Sequence, residues 1–223
     1  MSQQSILDFF LTLMFLITGA LGLRLYQKIP YFHNVSIERK RSLKGQNLMV
    51  LLGSGGHTGE MFRLLSSISE LSELGSINWC VSSGDTTSVV QLDNFLKKTN
   101  LTKFNSVIQL SRARKVGESW GSSIISTLKS FVSSLHSILS LKSYPDVLMV
   151  NGPGTAVPLC YLFLIMNVLG ISNTKILYVE SLARVNQLSL SGRLCYWISD
   201  RFLVQWPGLT TKYQRAEYHG ILV

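Results

Sequence analysis

Asn47-Leu48-Met49-Val50-Leu51-Leu52-Gly53-Ser54-Gly55-Gly56-His57-Thr58-Gly59 passes in one step from an apolar run to a glycine-rich loop. The run 47–52 has the composition of a strand buried on both faces, as in a parallel sheet. Residues 59–74 then show helical spacing, with Met61, Leu64, Leu65, Ile68 and Leu71 on one side. A strand, a glycine loop and a helix make the first unit of a doubly wound fold. Glycine has no Cβ, so this loop can turn sharply and approach a phosphate closely. The following helix offers free N–H groups and the positive end of its dipole. A tight βα turn with no ligand is the competing reading of the same residues.

The alternation continues downstream. Strands are expected at 77–82, 107–110, 146–150, 175–179 and 201–205. Helices are expected at 86–98, 120–141, 155–169 and 192–198. Six strands alternating with helices predict a single Rossmann-like doubly wound parallel sheet with right-handed crossovers. The 155–169 helix is very apolar, yet it is short for a bilayer span and contains Pro158 and Asn167. It reads as a helix buried on the sheet or as one partly inserted in a membrane surface.

Ligands of such sheets bind beyond the carboxyl ends of the strands. Three loops fall there: 53–59, Asn151-Gly152-Pro153-Gly154-Thr155, and Glu180-Ser181-Leu182-Ala183-Arg184. The first departs from the dinucleotide fingerprint, because Thr58 stands where the third glycine belongs and Gly59 comes one residue late. It also lacks the Lys-Ser/Thr pair of a Walker loop. His57 has the titration range for proton transfer or for a charged contact to phosphate. Glu180 can orient or deprotonate a sugar hydroxyl, and Arg184 can bind phosphate through its fork or pair with Glu180. Arg112, Arg114 and Lys115 follow the third strand on the same edge, as a solvated basic loop or as lipid or diphosphate contacts. No metal-ligand spacing occurs and no cofactor is expected.

The 223 residues are 46% hydrophobic with a net charge of +9, and the mean hydropathy is +0.26. That excludes a disordered chain and favours anionic neighbours. Cys80, Cys160 and Cys195 lie far apart in apolar runs, as buried reduced thiols do. Residues 6–23 are almost wholly apolar and have the length of one bilayer crossing. No Lys or Arg precedes them, whereas Arg24, Lys28, Arg39, Lys40, Arg41 and Lys44 follow, so the positive-inside rule puts the N-terminus in the lumen. A cleaved signal peptide would want a positive leader and a clear cleavage site, and a buried soluble helix would want a polar face. The expected organisation is an anchor at 1–23, a basic linker at 24–45, a Rossmann-like domain at 46–217 and a tail at 218–223.

Gly53-Ser-Gly-Gly-His-Thr-Gly-Glu-Met61, Asn151-Gly-Pro-Gly-Thr155, Tyr178-Val-Glu-Ser-Leu-Ala-Arg-Val185, Leu188-Ser-Leu-Ser-Gly192 and Val204-Gln-Trp-Pro207 stand in this order. Together with the apolar N-terminus they resemble the membrane-anchor subunits of the two-subunit UDP-N-acetylglucosamine transferase of dolichol-linked oligosaccharide synthesis. That family is similar to the acceptor-side domain of a bacterial lipid-linked N-acetylglucosaminyltransferase of GT-B fold. The resemblance implies addition of a second N-acetylglucosamine to N-acetylglucosaminyl-diphosphodolichol at the cytosolic face of the endoplasmic reticulum membrane or nuclear envelope. It implies a separate catalytic subunit that brings the UDP-sugar domain.

Carried onto this chain, Gly55, Gly56 and His57 match the first glycine loop, and Gly152 and Gly154 the second. Glu180 matches the third loop more loosely, since its neighbours differ from the bacterial pattern. The acceptor diphosphate is then expected on Ser54, Gly55, Gly56, Thr58, Gly152, Gly154, Thr155, Arg112, Arg114 and Arg184, with His57 or Glu180 as base. Gly220, Ile221, Leu222 and Val223 are expected to dock on the partner. Independently, about 180 residues after the anchor and linker suffice for one such domain, and a GT-B site needs two. The rivals are a membrane scaffold without catalytic residues and a nucleotide-dependent oxidoreductase using Asp85. Nucleic-acid binding has only the charge in its favour.

Overall fold

A computed structural model describes residues 3–33, 44–101, 105–111 and 120–223. The chain opens with helix α1 (Gln3–Lys28), which from Gln4 onward is long and apolar enough to cross a membrane, and none of its most apolar stretch is buried in the protein. The segment is therefore not a helix of this domain's own core. The helix also runs five residues past the expected end of the anchor. Its last turns join the domain: Lys28 Nζ donates to Asn173 Oδ1 at 3.0 Å, and the Tyr31 ring lies 4.0 Å from that of Trp197.

The domain follows as β1 (Asn47–Leu52), α2 (Gly56–Ser66), β2 (Ser76–Ser82), α3 (Thr86–Thr99), β3 (Asn105–Leu110), α4 (Trp120–Leu139) and β4 (Val147–Val150). Then come α5 (Ala156–Leu169), β5 (Lys175–Val179), α6 (Leu190–Cys195), β6 (Arg201–Val204), α7 (Gly208–Lys212) and β7 (Ala216–Tyr218). The strands form one sheet in the order β3-β2-β1-β4-β5-β6-β7, and every pairing is parallel. The direction of winding reverses between β1 and β4, so the loops after these two strands open onto the same crevice.

Strand alternation divides the core. Leu48, Val50, Leu52, Ile77, Trp79 and Val81 face α2 and α3, while Met49, Leu51, Cys80, Leu148 and Val150 face α4 and α5. α5 is a core helix with ten of its fourteen residues buried. Each fully buried Leu or Phe there contributes about 1.5–3 kcal/mol. Ile165 and Leu169 keep an exposed stripe on it. All three cysteines are buried and unpaired, and burial pushes the Cys80 thiol up to about 12.

Several boundaries move. α2 starts three residues before the expected position, because Gly55 takes a positive φ of 69° and turns the chain straight into the helix. It ends at Ser66 rather than at 74, and Leu71–Glu73 form a separate 3-10 turn. α6 starts at Leu190, capped by the Ser189 hydroxyl accepting from Gly192 N–H. A seventh strand joins the edge, where Arg201 of β6 donates two hydrogen bonds to Glu217 of β7. Tyr218, expected in the tail, is the last residue of that strand. Leu222 and Val223 pack against the chain's own core on the α2 and α3 side of the sheet, and Ile221 alone of the three stays exposed.

Candidate functional site

The 53–59 and 151–155 loops touch at the switch point. A Cβ on Gly53 would lie 2.9 Å from the Pro153 ring, and one on Gly152 would lie 2.7 Å from His57 Cε1. Gly152 has φ +61°, so both its conformation and its contact require glycine. By contrast, Gly55, Gly56 and Gly154 have nothing within 4 Å of a built Cβ. Two glycines therefore lock the loops together, and three border open space.

The helices that start here, α2 and α5, differ from α3 and α6. α3 is capped by Asp85, which accepts from Ser88 N–H, and α6 by Ser189. α2 and α5 begin without any side-chain cap. On α5 the Ala156 and Val157 N–H groups donate to the Pro153 and Gly154 carbonyls, so the helix end left suited to an anion is the first turn of α2. The cap on α3 also uses the Asp85 carboxylate, buried and hydrogen-bonded to Ser88, so it is not presented to a ribose as a dinucleotide-dependent enzyme would need.

His57 sits in the first turn of α2, its backbone carbonyl accepting from Asn151 Nδ2 at 2.6 Å. Its Nδ1 lies 3.7 Å from Glu60 Oε2, one turn along the helix. Glu60 Oε1 accepts from the Ser181 hydroxyl at 2.9 Å, which ties α2 to the loop after β5. Burial pushes the His57 imidazole below its ordinary value, against the pull of Glu60; nearby Arg184 lowers it further. Lowering keeps the ring neutral at physiological pH, the state in which it can accept a proton. Four buried side-chain polar atoms lack a partner among the described residues, and three are here: His57 Nδ1, Glu60 Oε2 and Asn151 Oδ1. Such a concentration singles this crevice out as the candidate site. Glu60 escaped the sequence reading, although its spacing of three from His57 was the available signal.

Glu180 plays a different part from the one expected. It is fully buried; Oε1 accepts from Ser181 N–H and Oε2 from both Ser189 N–H and the Ser189 hydroxyl. Burial raises its pKa, partly offset by these hydrogen bonds and by Arg184. The carboxylate points into the fold and ties β5 to the start of α6, so its oxygens are not offered to a sugar hydroxyl. Arg184 is exposed and makes no ion pair with Glu180 among the described residues.

Thr58 and Thr155 are buried, Thr58 donating to the Gly53 carbonyl and lying 2.7 Å from Ser88 Oγ. Their side chains shape the loops, and what they offer a ligand is backbone N–H. Ser54 is exposed at the loop tip. Arg112 and Arg114 lie outside the described residues.

Comparison with known proteins agrees with this geometry. Residues 48–222 match the family described as "Oligosaccharide biosynthesis protein Alg14 like". A Candida albicans protein named UDP-N-acetylglucosamine transferase subunit ALG14 is 46% identical over 84% of each chain. The Debaryomyces hansenii protein of that name is 42% identical over 91% of each, and the human one is 37% identical over 79% of this chain and 83% of its own. Among solved structures, LpCGTa in complex with UDP superposes with a TM-score of 0.53 at 10% identity, over 80% of this chain and 53% of its own. This chain thus spans about half the length of that glycosyltransferase, and its sheet is one Rossmann-like half of a GT-B fold. Family model and relatives agree over most of the length: the chain belongs to the Alg14-like family of oligosaccharide biosynthesis proteins.

Proposed function

We propose that this chain is the membrane-anchoring, acceptor-binding subunit of a heteromeric UDP-N-acetylglucosamine transferase. It holds N-acetylglucosaminyl-diphosphodolichol at the cytosolic face of the endoplasmic reticulum membrane while a separate catalytic subunit supplies the UDP-sugar. The observation that carries this reading is the uncapped N-terminus of α2, with its first-turn N–H groups behind Gly55 and Gly56, in a domain whose described residues build one Rossmann-like sheet. The diphosphate sits on those N–H groups with Arg184 beside it. α1 crosses the membrane with its N-terminus luminal, as the basic residues after it support.

In the transfer, a bond forms between the acceptor hydroxyl oxygen and the anomeric carbon. The bond from that carbon to the UDP oxygen breaks, and UDP leaves with the electron pair. The hydroxyl proton passes to neutral His57. Positioning and the fixed N–H dipoles supply the rest. The test is transfer from UDP-N-acetylglucosamine to the lipid acceptor by this chain alone, by the partner alone and by both together. Only the pair is expected to turn over. Activity from this chain alone would refute the division of labour.

The tail is assigned to the partner interface. Ile221 is 59% exposed, while Leu222 and Val223 seat the segment on the core and Leu222 N–H donates to Gln205 Oε1. Ile221→Asp is expected to weaken capture of the partner about tenfold or more, as loss of an apolar anchor does, with the melting temperature unchanged. Unaltered capture in a pull-down would remove the tail from the interface.

A further inference from the structure

We infer that Glu60 is a positioning residue for His57, holding the imidazole proton on Nδ1 so that Nε2 is the nitrogen left to meet the acceptor hydroxyl. This rests on the function proposed above and adds a residue to it. The sequence places the pair one helical turn apart, and because α2 begins at Gly56 both lie in its first two turns on one side. His57 Nδ1 and Glu60 Oε2 are each buried and without another partner, and they face each other at 3.7 Å. The other carboxylate oxygen is fixed by Ser181, so Glu60 cannot turn away without breaking that bond. The ring itself is clamped against Gly152, and its backbone is held by Asn151.

A carboxylate beside Nδ1 can only accept, so it selects the Nδ1–H tautomer. The lone pair then lies on Nε2, and the His57 side chain as a whole keeps about one-third of its surface exposed. The charged groups acting on His57 are Glu60 from α2 and Arg184 from the loop after β5, with opposite effects. The loop after β4 contributes the uncharged Asn151.

Glu60→Gln separates positioning from packing. Its amide oxygen can still accept from Ser181, which turns the NH2 group toward Nδ1. The NH2 donates, so the proton moves to Nε2 and the lone pair turns inward. Nitrogen-15 shifts of the His57 imidazole, followed with pH in the full-length chain in detergent micelles, are expected to show the Nδ1–H form in the wild type and the Nε2–H form in the variant. In the assembled transferase, Glu60→Gln is expected to lower kcat about 10–100-fold with KM within about twofold, the range for groups that orient another functional group. The acid limb of the pH profile is expected to move to lower pH, because the anion that raised the imidazole is gone. Glu60→Asp is expected to restore part of kcat. Identical imidazole shifts in wild type and Glu60→Gln would overturn the inference, as would a kcat loss with the acid limb unmoved. Full turnover by His57→Ala would remove the base assignment while the nitrogen-15 comparison still decides whether Glu60 sets the tautomer.

Discussion

His57→Ala in the assembled transferase is expected to lower kcat by about 10²–10⁴-fold, the contribution of a positioned general base. KM for the proposed lipid acceptor should change little, because the diphosphate is assigned to backbone N–H groups in the first turn of α2 that the substitution leaves in place. The residual rate is what positioning and fixed dipoles supply alone. The imidazole is suited to the task by its surroundings. Desolvation holds it neutral, and the Gly152 contact fixes its ring. Initial rates of the reconstituted pair against acceptor concentration, alongside a melting curve, make the measurement. A kcat within about threefold of wild type would be too small a loss for a general base and would assign the proton elsewhere.

Gly192→Ala should be the most destabilising single-methyl change at the site. A Cβ there would stand 2.1 Å from Glu180 Oε2 and 3.1 Å from Ser189 Oγ. Glu180 cannot move aside, since its two oxygens are held by Ser181 and Ser189 and no open volume surrounds a side chain with 0% exposure. Either α6 shifts or a buried carboxylate loses hydrogen bonds. Overpacking costs about 1–3 kcal/mol, and an unsatisfied buried acceptor adds about 1–3 kcal/mol. For a domain of this size, about 3 kcal/mol lowers the melting temperature by roughly 6–12 °C. Gly154→Ala is the control, because a Cβ there meets nothing within 4 Å. If both variants melted with the wild type, the Glu180 knot would not be holding α6.

The sheet was largely readable in advance because its central strands are buried on both faces and so appear as continuous apolar runs. β7 was not: Ala216-Glu217-Tyr218 is three residues long, and its charge is met by Arg201 of the neighbouring strand and by His219. The meeting of the 53–59 and 151–155 loops followed from the winding rule alone. The roles of the carboxylates did not. Glu180 and Glu60 look alike in sequence, each beside a loop, and burial decides which is structural. The Glu60–His57 relation depended on the first residue of α2, since a helix starting at 59 would leave His57 outside it. Element boundaries are the least legible part of a sequence, and here one boundary determined which residue faces the imidazole.

The joint between α1 and the domain has a consequence for how the proposed anchor would set the domain on a membrane. Arg24 lies against Gly170, at the far end of α5, whereas the glycine loop 151–155 opens its near end. Fourteen residues at 1.5 Å each separate the two by about 21 Å. The tether is therefore a lever arm and not a clamp at the site. With α5 upright on a membrane, the crevice would stand about 20 Å farther from the bilayer than the joint does. With α5 lying along the surface, crevice and joint would sit at one height. The lipid-linked acceptor proposed above would therefore set the tilt of the whole domain.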